Sequence, residues 1–194
     1  MRQRKGKKIL IYFILLLLVG SINNIVLNDI KFKKIEDINV NGLTDIDNLI
    51  LFHEIKNLNL GNIFFISKKK LQDEINLNSL VENYNIFKRY PSSLDINIKQ
   101  TEFLARINNN GKIFLVGSNG KLLRNNFFNN KLPFIFGKPE IKDFLDFKKI
   151  IDQSRLSYDE VKNLYFYSSK RWDLELKNNI ILKLSGENTK DSLQ

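Results

Sequence analysis

The chain has 194 residues, of which 31 are basic and 21 acidic; it has one histidine and no cysteine. The missing thiols exclude a disulfide framework and a thiolate zinc site, and one histidine leaves little basis for a hydrolytic triad. The net charge of +10 is uneven: residues 1–8 hold five basic residues and no acidic one, so the remainder carries 26 against 21, a mild +5 that suits a domain near an anionic membrane better than a nucleic-acid binder.

Arg2, Arg4, Lys5, Lys7 and Lys8 open the chain, and Ile9 to Asn28 then runs for 20 residues without a charge. Such a helix, rising about 1.5 Å per residue, is roughly 30 Å long, the thickness of a bilayer core. Basic residues flanking a first span stay in the cytoplasm. The pattern therefore predicts a cytoplasmic basic tail over 1–8, a transmembrane helix over 9–28, and everything after about Asp29 outside. A cleaved signal peptide is the rival reading, but Gly20-Ser21-Ile22 is a poor cleavage pattern, and no second long apolar run follows. Ser21, Asn23 and Asn24 lower the hydrophobicity at the outer end of the run. Residues 29–34 read as a linker, whose Lys31, Lys33 and Lys34 face headgroups or solvent.

Ile38 and Val40 alternate with polar residues and predict a strand ended by Gly42. Thr44-x-x-Asp47 has the form of a capping box, with Ile46, Leu49, Ile50, His53 and Ile55 following at helical spacing as an apolar face that has His53 at its border. Ser67 predicts a cap for a second helix through about Asn76, with Leu71 and Ile75 inward. Lys68, Lys69 and Lys70 at its start oppose the helix dipole and are expected to be exposed. Val81 to Arg89 reads as a strand, Tyr90-Pro91-Ser92-Ser93 as a turn, and Leu94-x-Ile96-x-Ile98 as an alternating strand.

Leu104 to Asn108 and Ile113 to Val116 predict a hairpin around Asn109-Asn110-Gly111, and Ser118-Asn119-Gly120 marks a further turn. Lys131 to Gly137 reads as extended. Ile141 to Gln153 predicts an amphipathic helix with Phe144, Phe147, Ile150 and Ile151 on one face. Val161 to Ser169 reads as a strand. Trp172, Leu174 and Leu176 alternate with Asp173, Glu175 and Lys177 in another, which turns at Asn178-Asn179 and pairs with Ile180 to Leu184.

In this order the motifs resemble the FtsQ/DivIB family of bacterial cell-division proteins. The block over 35–101 resembles a POTRA domain, and Phe87-Lys88-Arg89-Tyr90-Pro91-Ser92-Ser93-Leu94-Asp95-Ile96-Asn97-Ile98 is similar to the family's basic, aromatic-Pro, x-x-Leu-x-Ile-x-Ile pattern. Glu102-Phe103-Leu104-Ala105 resembles its Glu-x-Pro-x-Ala, with Phe103 where proline is usual. Leu115-Val116-Gly117-Ser118-Asn119-Gly120 resembles its apolar-Asp-x-x-Gly hairpin, without the Asp. Leu132-Pro133 with Gly137, and Lys170-Arg171-Trp172-Asp173-Leu174, match two further segments. The resemblance implies an α+β protein: an N-terminal transmembrane helix, a POTRA domain (β-α-α-β-β) and a mostly antiparallel β domain over 102–194. Glu187 to Gln194 looks like the start of a helix that in the family leads to a final edge strand. That strand is expected to be missing, which makes the β domain incomplete.

The function that the resemblance implies is a non-enzymatic divisome scaffold. It would sit in the inner membrane at the septum, with its N-terminus cytoplasmic and its C-terminal domain periplasmic. It would bind FtsB and FtsL by strand addition, meet other divisome proteins, and touch lipid through the anchor. No cofactor, metal, nucleic acid or small-molecule substrate is expected. A POTRA-containing transport or chaperone component is the alternative, and a membrane-anchored envelope enzyme the next. Arg155 is the first choice for an ionic partner contact, because arginine suits directional carboxylate pairing. Arg171, Trp172, Lys68, Lys69 and Lys70 complete the partner-binding candidates, although core packing is the commoner use of such a tryptophan and solvation of such lysines.

Overall fold

The structure, a computed structural model, describes residues 3–22, 33–124 and 131–184. Gln3–Ile22 forms α1, whose apolar residues from Ile9 to Val19 are each 48–69% exposed. Among the described residues no helix is long and apolar enough to cross a membrane. Lysines occupy the first turns of α1, so its uncharged part, Ile9 to Ile22, spans only about 21 Å. Residues 23–28 of the expected span and 29–32 of the linker lie outside the described residues.

The next unit has the expected order: β1 (Asp37–Asn41), α2 (Asp45–Asn57), α3 (Lys68–Leu77), β2 (Val81–Arg89) and β3 (Ser93–Gln100). Its sheet runs β1-β3-β2, with β3 parallel to β1 and antiparallel to β2. Thr44 caps α2, its Oγ1 accepting from the Asp47 N–H and donating to the Asp47 carboxylate, and Ser67 caps α3. Leu94, Ile96 and Ile98 of β3 pack with Val40, Leu71 and Ile75 in one cluster. Of the apolar face expected for α2, only Ile55 is buried. Leu51 and Ile55 are its buried residues, while Ile46, Leu49 and Ile50 are 73, 56 and 48% exposed, and His53 is exposed with its ring edge-on to Phe52. Apolar residues occur all around this helix, so helical spacing cannot choose the side that meets the sheet.

The second unit contains β4 (Phe103–Asn109), β5 (Lys112–Gly117), β6 (Leu122–Arg124), β7 (Phe134–Phe136), α4 (Ile141–Asp152), a 3-10 turn (Tyr158–Glu160), β8 (Val161–Phe166), β9 (Trp172–Leu176) and β10 (Ile181–Lys183). They form a seven-stranded sheet ordered β10-β9-β8-β7-β4-β5-β6. Pairing is antiparallel except where β7 lies parallel to both β4 and β8. The β4–β5 turn places Asn110 at φ 53 and Gly111 at φ 78, the left-handed pair that suits a two-residue hairpin. Helix α4 buries Phe144, Phe147 and Ile151 against one sheet face, where Ala105, Ile135, Leu164 and Leu174 point inward. Trp172 stacks on Phe147 at 4.7 Å and 6° and is 6% exposed. Gly137 has φ 98, and a Cβ there would lie 2.3 Å from the Phe166 carbonyl oxygen, so only glycine lets β7 end beside β8. The expected helix at 187–194 lies outside the described residues.

The two units are joined where β3 passes into β4. Glu82 Oε2 on β2 accepts from Ser118 Oγ at 2.6 Å and from Thr101 Oγ1 at 3.1 Å. Asn119 donates to the Ser79 and Val81 carbonyls at 3.0 and 2.9 Å. Lys121 Nζ caps the end of α3 through the Asn76 and Asn78 carbonyls, and partial burial lowers its pKa. The β5–β6 turn of the second unit thus supplies side chains to backbone carbonyls of the first. A Cβ on Gly117 would lie 2.6 Å from Asn119 Oδ1 and 2.8 Å from Thr101 Oγ1. Gly117→Ala is expected to destabilise the chain by about 1–3 kcal/mol by pushing this junction apart. Urea unfolding checks it; unchanged stability would show that the junction yields freely.

Candidate partner-binding surface

Because α4 covers one side of the seven-stranded sheet, the alternate residues of each strand form a second, open side. The register places Ile181, Glu175, Asn163, Phe134, Arg106, Leu115 and Leu123 in one transverse row across it. Lys183, Asp173, Tyr165 and Phe136 form a neighbouring row. Phe136 stacks on Tyr165 at 4.9 Å and 10°, and Phe134 packs against Phe136 at 4.8 Å. The Arg106 guanidinium lies over Phe134 at 5.7 Å while its Nε donates to the Leu132 carbonyl.

Beside these rings lies a carboxylate with three donors. Glu175 accepts from Asn163 Nδ2 at 2.9 Å, Lys162 Nζ at 2.7 Å and the Tyr165 hydroxyl at 2.7 Å. Lys162 reaches it because a register shift between Val161 and Asn163 leaves Lys162 unopposed on β8. The three hydrogen bonds, from Asn163 first, then Lys162 and Tyr165, pull the Glu175 pKa down to about 2. The same contact with Glu175 raises the pKa of Tyr165.

Strand β10 is one border of this sheet among the described residues, and the three-residue β6 is the other. The Leu176 N–H donates to the Ile180 carbonyl, and the Leu184 N–H to the Trp172 carbonyl. Residues 180, 182 and 184 therefore turn their backbone groups toward β9, and Ile181 and Lys183 turn theirs outward. Ile181 is 55% exposed. Among the described residues the β10 border leaves two residues' worth of N–H and C=O groups without a strand partner, the groups an incoming strand would need.

The six residues chosen from sequence do not converge. Arg155 is exposed on the connection from α4 into the 3-10 turn, beside the start of β8. Arg171 sits at the opposite end of the β8–β9 pair, with its guanidinium over Tyr167 at 4.5 Å. Trp172 takes the commoner of its two anticipated uses and lies in the core, surrounded by Phe147, Phe144 and Phe166, so it drops out as a partner anchor. Lys68, Lys69 and Lys70 are exposed on the first unit. Phe134, Phe136, Tyr165 and Glu175 were missed; the alternation in Phe134-Ile135-Phe136 was the available signal. Among the described residues no group of three or more metal-capable side chains occurs.

Asp173, which alternates with the core residues of β9, is itself buried at 2% exposure. Arg171 Nη2 donates to its Oδ2 at 3.2 Å, while Arg171 Nε approaches Oδ1 at 3.1 Å without hydrogen-bond alignment. Arg171→Ala is expected to cost about 1–3 kcal/mol, by leaving a desolvated carboxylate without its cation; denaturant unfolding reads this, and a neutral result would assign Arg171 to the surface alone. For Glu175 the sign follows from its depressed pKa. As the pH falls below the ordinary 4.5, the unfolded chain takes up this proton first, so the stability Glu175 contributes is lost between pH 4.5 and about 2. Carbon-13 NMR of its carboxyl is expected to show a midpoint well below 4; a midpoint near 4.5 would mean that the three donors do not hold it.

The "POTRA domain, FtsQ-type" family model matches residues 33–100, and the "Cell division protein FtsQ/DivIB, C-terminal" model matches residues 105–194. Cell division protein DivIB of Clostridium botulinum (strain Loch Maree / Type A3) is 31% identical over 122 residues, which cover 63% of this chain and 46% of that protein. Cell division protein DivIB of Staphylococcus aureus (strain NCTC 8325) is 27% identical over 92 residues, covering 47% of this chain and 21% of that one. The matches thus span less than half the length of these relatives. The solved major extracytoplasmic domain of the trans isomer of DivIB from Geobacillus stearothermophilus is 12% identical with a TM-score of 0.37, covering 48% of this chain and 85% of that chain. With one model on each sheet unit, in the family's order, and relatives that share its name, the chain belongs to the FtsQ/DivIB family of cell-division proteins.

Proposed function

We propose that this protein is a membrane-anchored divisome scaffold that binds an FtsB–FtsL pair outside the membrane by strand addition at β10, linking early and late division proteins at the septum. The observation that carries the reading is the outward backbone of Ile181 and Lys183 on a sheet border, within the stretch that matches the family's C-terminal domain. An incoming strand would pair its backbone with these groups and set its side chains beside Ile181 and Lys183, with Glu175 of β9 one strand further in. Arg155 is the proposed ionic contact. The anchor is the uncharged run Ile9 to Asn28, supported by the exposure of every apolar residue from Ile9 to Val19. It would confine both partners to a thin layer and raise their effective concentration. The role is binding and positioning, not catalysis.

A proline at 183 removes an outward N–H without removing a β9–β10 hydrogen bond. Capture of a host FtsB–FtsL pair by the tagged, membrane-expressed chain is expected to fall about tenfold or more with Lys183→Pro and to persist with Lys183→Ala, since one lost hydrogen bond plus a steric block is worth over 1.4 kcal/mol. Trp172 fluorescence verifies the fold of each variant. Equal capture by both variants would move the site away from β10, and no capture by the parent chain would sink the scaffold reading.

A further inference from the structure

We propose that the end of the first sheet unit where the chain enters is a lipid-contact surface, built to rest on an anionic bilayer. Three segments meet there. The residues preceding β1 pair with the loop between α2 and α3: Lys34 bridges to Asn62, and the Ile35 N–H donates to the Gly61 carbonyl. The Glu36 N–H donates to the Ser92 carbonyl, which brings in the tip of the β2–β3 hairpin. Loop and tip are joined in turn, since Lys88 Nζ donates to the Ile63 carbonyl at 2.7 Å and the Phe64 and Tyr90 rings lie 5.1 Å apart.

On this platform Phe64, Phe65 and Tyr90 are 52, 74 and 61% exposed. Lys68, Lys69 and Lys70 follow directly, all exposed, with Lys33 and Lys34 on the entering chain. The nearby acids are Glu36, near Lys33 at 4.0 Å, Asp37, Asp95, which pairs with Arg89, and Asp73 and Glu74 one turn along α3 from the three lysines. Positive charge therefore dominates. Three lysines on the first turn of a helix cost helix stability, and an anionic surface would offset that cost. Large exposed rings beside lysines suit the headgroup layer, where rings sit among glycerol groups and ammonium groups meet phosphates. The geometry agrees with the charge. The other end of the same sheet is occupied by the junction of Glu82, Thr101 and Asn119, so the second unit and its open border project away from the platform. Docking would fix the height and tilt of β10 above the membrane. This placement rests on the anchor reading, since the anchor brings the platform to the bilayer.

The chain has no cysteine, so single-cysteine probes are direct. The full chain, carrying an environment-sensitive fluorophore at Ile14→Cys, Phe65→Cys or Asn110→Cys, is reconstituted in nanodiscs of phosphatidylcholine with or without one part in three phosphatidylglycerol and with spin-labelled lipid as quencher. The probe at 14 reports the anchor, that at 65 the platform, and that at 110 the far hairpin. The expected result is quenching at 14 in both discs, quenching at 65 that strengthens with phosphatidylglycerol, and none at 110. Replacing Lys68, Lys69 and Lys70 by Gln is expected to shift the docked–undocked balance by about fivefold per charge removed, leaving position 14 unchanged. Quenching at 14 with none at 65 overturns the platform and leaves the anchor standing. No quenching at either position overturns both, and quenching at 65 that ignores lipid charge and the lysine changes overturns the electrostatic account.

Discussion

Asn119 and its neighbours impose the constraint on which the long-range arrangement depends. A single turn of the second unit satisfies backbone carbonyls at the end of the first, while Ser118 and Thr101 share the Glu82 carboxylate. These groups would otherwise face solvent or one another unpaired, and a directional set of hydrogen bonds fixes orientation where apolar contact alone would allow sliding. The close approach explains the glycine at 117: any side chain would occupy the space taken by Asn119 and Thr101. Because the junction lies at the end of β3 opposite the entering chain, the units follow one another away from it.

Within each unit the sheet is covered by helix on one side only, which determines what remains for recognition. In the second unit the uncovered side is neither plainly polar nor plainly apolar. It carries an aromatic group, an arginine over a ring, and a carboxylate held by three donors. Such side chains are already paired with one another. In the proposed docking, the backbone of β10 would give affinity without much sequence demand, and Ile181, Lys183 and the nearby Glu175 would supply selectivity.

Two acids on neighbouring positions of β9 show how local surroundings divide roles. Asp173 is buried against Arg171 at the strand's start and serves cohesion. Glu175, two residues on, is reached by Lys162 only because β8 bulges there. Both project from the same side of one strand, and nothing in the alternating pattern Trp172-Asp173-Leu174-Glu175-Leu176 distinguishes them.

Much of the fold was legible in the residues. Alternation marked β3 and β9, Thr44 and Ser67 marked helix starts, Asn110-Gly111 marked a hairpin, and Phe144, Phe147 and Ile151 marked the buried side of α4, because each signal is local and needs only a few adjacent residues to operate. The family motifs followed from the same local features. The three residues of β6 escaped, being too short for a period to register, and β7 read only as extended because its place between β4 and β8 is set by partners far away in the chain. Only the tertiary structure decided which side of α2 is buried, that Asp173 is enclosed, and that Phe64, Tyr90 and Lys34 share one end of a sheet. Those outcomes depend on which elements meet, and a residue's spacing to its neighbours carries no information about a surface brought to it by a strand or loop dozens of residues away.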